Sequence, residues 1–131
     1  MKLETPNKNI HKSSKELYTF LEDVKNFEKL MPENISKFEI LGEDKFLFSL
    51  KGMPEIVLKM KEKTPYNKLV LGSASDKVPF TLTANINDLS EGTSEVNLVF
   101  EGEFNAMMGM MIKGPITNFI NTLTDNMTRT V

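Results

Sequence analysis

From Ile35 onward the chain alternates apolar and polar residues with a period of two. Phe38 and Ile40 alternate with Lys37 and Glu39, and Phe46, Phe48 and Leu50 with Lys45, Leu47, Ser49 and Lys51. Ile56, Leu58 and Met60 alternate with Val57, Lys59, Lys61 and Lys63; Leu69 and Leu71 follow. Phe80, Leu82, Ala84 and Ile86 then stand against Thr81, Thr83, Asn85 and Asn87, and Val96, Leu98, Phe100 and Phe104 against Glu95, Asn97, Glu101 and Glu103. Successive strand side chains point to opposite faces, so each run has one apolar and one wet face, as in an antiparallel sheet covered on one side. Turn residues separate the runs: Gly42-Glu43-Asp44, Gly52-Met53-Pro54, Pro65-Tyr66-Asn67, Ser75-Asp76-Lys77 and Ser90-Glu91-Gly92. This short spacing predicts a meander of hairpins. Parallel crossovers need helices between strands, and the pattern contains none there.

Helical periodicity appears at both ends of this region. Ser13-Ser14-Lys15-Glu16 has capping-box spacing, with Ser13 as N-cap, and Leu17, Phe20, Leu21 and Val24 give a short apolar face. A second short helix, about Val24 to Leu30, stops before Pro32, because the residue preceding a proline is pushed out of the helical region. Residues 2–11 read as extended, since Pro6 and Asn7 disfavour helix. From Asn105 to about Thr128 the apolar residues Met108, Ile112, Ile116, Phe119, Leu123 and Met127 step by three or four, which is one helical face. Such a helix is about 36 Å long, enough to cross a whole curved sheet. Gly114-Pro115 in its middle predicts a kink, which either lets the helix follow the sheet's curvature or frees its first half as a lid.

The order is strand, two short helices, six strands and a long helix. Within it, Ile10 to Pro32 carries Leu21-Glu22-Asp23 at the end of the first helix and Met31-Pro32 at the end of the second. This segment resembles the opening of the START and birch-pollen-allergen-like helix-grip superfamily (SRPBCC), and the resemblance in topology covers essentially the whole chain. It implies an α+β helix-grip fold over residues 1–131, with a curved antiparallel sheet around the C-terminal helix and a hydrophobic-ligand cavity between them. The superfamily's roles span lipid and sterol carriage, quinone binding, polyketide cyclisation and a type associated with carbon monoxide dehydrogenase. Fold alone therefore does not choose among them.

Composition narrows the chemistry. The 131 residues contain no cysteine, which excludes disulfides, zinc thiolates and a cysteine nucleophile, and fits a cytoplasmic setting. A net charge of −2 argues against a general nucleic-acid partner. No apolar run is long enough for a membrane span, and the first residues lack the apolar stretch of a signal peptide. The one histidine, His11, has no Gly-x-Ser-x-Gly elbow to serve, so no catalytic residue is assigned. Neither a metal site nor a cofactor is expected. Glu95, Glu101 and Glu103 share the wet strand face, where nothing tunes a carboxyl. Lys59, Lys61 and Lys63 read as a solvated stripe that guards against edge pairing.

What remains is the apolar interior. Its candidate ligand-lining residues are Phe38, Phe46, Phe48, Leu58, Met60, Leu71, Phe80, Leu82 and Phe100 from the sheet, and Met108, Met111, Ile112 and Phe119 from the helix. The same residues would equally make a filled core. Met107-Met108-Gly109-Met110-Met111 reads either as packing or as a pliable lining, because methionine adapts to irregular space. Polar anchors are sparse: Tyr18, Tyr66, Ser73 and Asn105. The expected function is binding of a small hydrophobic molecule (lipid, isoprenoid or quinone, or aromatic). The alternatives are a cyclase or dehydratase of the same superfamily, and an interaction module with a filled core whose methionine segment docks a partner or, in a homodimer, a second copy of the chain.

Overall fold

The computed structural model describes residues 1–53, 55–74 and 79–131. Pro54 and the Ser75-Asp76-Lys77 turn read from the sequence lie outside them. The strands are β1 (Lys2–Glu4), β2 (Lys8–Ile10), β3 (Ile35–Gly42), β4 (Lys45–Leu50), β5 (Ile56–Thr64), β6 (Lys68–Ser73), β7 (Phe80–Ser90) and β8 (Thr93–Gly102). The helices are α1 (Ser14–Glu22), a 3₁₀ helix (Val24–Leu30) and α2 (Ala106–Thr130). All strands pair antiparallel in one sheet, ordered β1-β8-β7-β6-β5-β4-β3, with β2 beside β1 on β8.

The first extended stretch is two strands because Pro6 has no N–H to give the ladder. Thr5 bridges the gap: its N–H donates to the Leu98 carbonyl at 3.0 Å, and its hydroxyl accepts from Leu98 N at 2.9 Å. Ser13 caps α1 as expected, and its Oγ also donates to Glu16 Oε1 at 3.2 Å. Ser13 is extended (φ −66°, ψ 161°), and its Oγ accepts from Glu16 N at 3.1 Å. At the other end of the short helical pair, Met31 is extended before Pro32.

One correction concerns the lysine stripe. The β5–β6 register shifts between Met60↔Leu71 and Glu62↔Val70, leaving Lys61 as the extra residue of a bulge. Lys59 pairs with Gly72 and Glu62 with Val70, whereas Lys63 falls opposite Leu69, a core residue. Directly opposed residues share a face, so the bulge moves Lys63 to the other face of the sheet, where it stays exposed like Lys59 and Lys61. The stem of Lys61 covers Gly72, where a Cβ would lie 2.9 Å from it.

The core lies between the concave sheet face and the helices. Leu17, Leu21, Val24, Phe27 and Leu30 enter from the short helices, and Ile116, Phe119, Ile120, Leu123 and Met127 from α2. Asn126 Nδ2 donates to the Leu30 carbonyl at 2.8 Å, tying the end of α2 to the 3₁₀ helix. Among the described residues, no helix is long and apolar enough to cross a membrane.

Candidate functional site

The interior between sheet and helix is filled. Rings run from the 3₁₀ helix to α2 in a chain of contacts: Phe27–Phe46 at 5.2 Å, Phe38–Phe46 at 5.3 Å, Phe46–Phe48 at 6.0 Å and Phe48–Phe119 at 4.8 Å, the last nearly parallel at 8°. Phe80–Phe100 and Phe100–Phe104 follow at 5.2 and 5.9 Å. Among the described residues, two interior gaps hold about 10 Å³ each, about the space of one water molecule. Among the described residues, stacked rings occupy the interior where the apolar faces predict an open cavity.

Open space lies beside α2, and a second, shallower groove of about 540 Å³ lies by Ser13, Tyr66 and Leu89. The first groove, of about 610 Å³, runs between the β4–β5 turn and the middle of α2. Leu50, Met53, Met111, Pro115 and Phe119 supply its apolar wall, and Asn34, Lys51, Asn118 and Thr122 its polar rim. The turn is set by Gly52, whose φ of +83° suits a residue without Cβ. Ser49 is buried beneath it; its hydroxyl donates to the Met53 carbonyl at 3.2 Å. Lys51 N donates to the Asn34 carbonyl at 2.9 Å, fixing the rim. Across the groove Asn118 and Thr122 stand four apart on one face of α2. Lys51 is the only titratable side chain among the lining residues.

The helix wall is locally weakened. α2 continues through Pro115, which cannot donate to the Met111 carbonyl one turn back. Before this step the helix is bare: Met107, Met108, Met110 and Met111 are 75, 39, 83 and 70% exposed. After it, Ile116, Phe119, Ile120, Leu123 and Met127 are buried. Ile112 is the first side chain of α2 to pack on the core. Met108, exposed, does not join the inward face that its spacing predicts.

The candidate lining residues therefore divide. Phe46, Phe48, Leu58, Met60, Leu71, Leu82, Phe100 and Phe119 are buried, Phe38, Phe80 and Ile112 are partly buried, and Met108 and Met111 are exposed. Met111 and Phe119 alone of these line the groove. Phe119 also lines one interior gap, with Phe48, Leu58, Phe80, Leu82 and Phe100, so its ring divides mouth from interior. The second gap collects Met60, Leu71 and Leu82.

None of the proposed polar anchors reaches the groove. Asn105 caps α2, its side chain accepting from Met108 N at 2.8 Å. Tyr18 is buried under α1, edge-on to Tyr66 at 5.4 Å, with no hydrogen-bond partner for its hydroxyl. Ser73 ends β6 half-buried, and His11 is exposed after β2. Among the described residues, no three His, Cys, Asp or Glu side chains cluster to hold a metal. Sequence reasoning missed Asn34, Lys51, Met53, Asn118 and Thr122, because only the approach of the β4–β5 turn to α2 makes them neighbours.

No family model matches the sequence, and no curated protein matches it significantly. Solved structures do. Norcoclaurine synthase from Thalictrum flavum superposes with a TM-score of 0.76 at 12% identity, over 98% of this chain and 86% of that one. That enzyme is also known in complex with dopamine and hydroxybenzaldehyde. A START superfamily protein from Mycobacterium smegmatis gives 0.71 at 10% identity, over 98 and 94% of the two chains. The chain has the START-like helix-grip fold. A conserved protein from Geobacillus kaustophilus gives 0.70 at 13% identity over 98% of this chain and 93% of that one. Identities this low concern the helix-grip fold and leave the chemistry of the groove to this chain's own residues.

Proposed function

We propose that this single helix-grip domain, acting in the cytoplasm, binds a small hydrophobic molecule at the groove between α2 and the β4–β5 turn. The observation that carries the reading is an apolar wall of Leu50, Met53, Met111, Pro115 and Phe119 in a space of about 610 Å³. Small-molecule sites are typically concave, mostly apolar, and on the order of 300–1,000 Å³. The weakened helix above it supports entry. Motion of the α2 segment before Pro115 widens the groove, and turning of the Phe119 ring extends it inward. A lipid chain, an isoprenoid or quinone, or an aromatic compound suits this wall. The neighbours' START-like fold, and the aromatic molecules bound by one of them, agree with it.

The test is titration with the apolar fluorophore N-phenyl-1-naphthylamine. Saturable binding to the wild type is expected, weakened at least about tenfold by Met111→Asp, since an unpaired charge cannot be desolvated against apolar surface. Met111 is exposed, so this variant keeps the fold. Non-saturable binding, or equal binding by Met111→Asp, overturns the reading.

A second reading has its own observation. Met107 and Met110 are the most exposed of the methionines and lie outside the groove lining. A second copy of the chain would cover them. Sedimentation velocity across a hundredfold concentration range decides: a dimer lost in Met107→Lys/Met110→Lys supports this reading, and a monomer throughout removes it.

A further inference from the structure

Resting on the groove reading, we infer that the molecule bound there is a single-chain anionic amphiphile, with its acid head group at Lys51 and its chain along the Phe119 wall. The rim has a definite charge. Lys51 is its only ionic residue, and its side chain is exposed, with no hydrogen bond or ion pair among the described residues. The nearby acids do not neutralise it. Glu55 is held by Lys37 at 2.9 Å. Glu33, between the lining residues Pro32 and Asn34, is itself outside the lining. Across the rim, Asn118 and Thr122 offer uncharged donors.

Lys51 is also held in place. Its backbone N–H is fixed to the Asn34 carbonyl, and Gly52 turns the chain directly after it. Its side chain therefore starts from the rim of the apolar wall. This division of wall and head matches a molecule with an apolar chain and one acidic end. A neutral hydrocarbon would leave Lys51 unused, and an alkylammonium would be repelled by it. In a protein of net charge −2, a lone unpaired cation at an apolar mouth discriminates against the bulk field rather than following it.

The experiment compares decanoate, decyl phosphate, decanol and decylammonium, each below its micellar concentration, by isothermal titration calorimetry at low salt. Either anion should bind about three- to fivefold tighter than decanol, within what one exposed charge pair allows, and decylammonium more weakly than decanol. The tighter of the two anions names the head group, carboxylate or phosphate. Lys51→Met should bring the anions to within about twofold of decanol measured on the same variant. Lys51→Glu should favour decylammonium. Lys51 is exposed and its side chain is unbonded, so these variants keep the fold, which circular dichroism checks. Decanol equal to both anions, or an anion preference that survives Lys51→Met, overturns the inference and leaves the groove standing. Absence of saturable binding by all four, decanol included, overturns the groove reading with it.

Discussion

At the scale of single residues, Tyr18 departs most from ordinary packing. It is 2% exposed, and its hydroxyl has no hydrogen-bond partner. Burial pushes its pKa above the usual 10.0, and the Glu22 carboxylate pushes it further, by its charge and as an acceptor that lies outside normal hydrogen-bond geometry. An unsatisfied buried hydroxyl costs about 1–3 kcal/mol, whereas an apolar group of the same shape does not. Tyr18→Phe should therefore raise stability by about 1 kcal/mol at pH 7, measured by urea unfolding. The alkaline limb gives the sign. The folded state holds the phenolic proton more tightly, so this group's contribution is complete below the unfolded pKa of about 10. It is lost as pH rises from there through the folded value. Wild type should lose more stability than Tyr18→Phe above pH 10. Equal losses in the two proteins would show that the tyrosine is solvated. Nothing in the sequence marks Tyr18 in this way. It stands on the apolar side of α1 beside Leu17 and Leu21, and only the arrival of Tyr66 from another element closes it in.

At the scale of elements, α2 joins two helices of different character across Gly114-Pro115. Its second half is anchored by buried Ile116, Phe119, Ile120, Leu123 and Met127; its first half is mostly bare methionine. Local opening follows burial, so amides of residues 107–112 should exchange faster than those of 116–127 after allowance for end fraying. Pro115→Ala restores the donor to the Met111 carbonyl and should narrow that difference. It should also stabilise the protein by about 1–3 kcal/mol, the range of a proline penalty inside a helix. Equal protection of the two halves in the wild type would remove the moving wall. The spacing of apolar residues predicted this helix, because period is a local property. It did not show that Met108 and Met111 leave the core, since the same spacing continues where the sheet no longer lies beneath. The bulge at Lys61 was hidden for a related reason: one extra residue in β5 changes which face Lys63 occupies without changing the local sequence pattern.

At the scale of the whole molecule, the helix-grip architecture encloses a space that this sequence fills with phenylalanine. The period-two strands and terminal helix made the architecture legible, but ring volume against ring volume is a tertiary quantity. The filling hinges on Phe119, which stacks on Phe48 and lines both the groove and an interior gap. Removing that ring tests whether the grip can be reopened. Phe119→Ala should cost about 3–5 kcal/mol, as for buried aromatics generally, because the rigid sheet does not collapse onto the space. The new cavity is lined by Phe48, Leu58, Phe80, Phe100, Ile116 and Ile120 and connects to the mouth. It is apolar, so it should take a small aromatic guest such as indole in place of water. A guest that binds only the folded state stabilises it by mass action, by about 2.7 kcal/mol at a hundredfold excess over Kd. Indole should therefore raise the Tm of Phe119→Ala in a saturable manner and leave the wild type nearly unchanged. If indole shifts neither protein, Phe48 has swung into the gap and the interior is plastic rather than plugged. If it shifts both alike, indole binds in the groove and the Phe119 ring is not the barrier between mouth and interior.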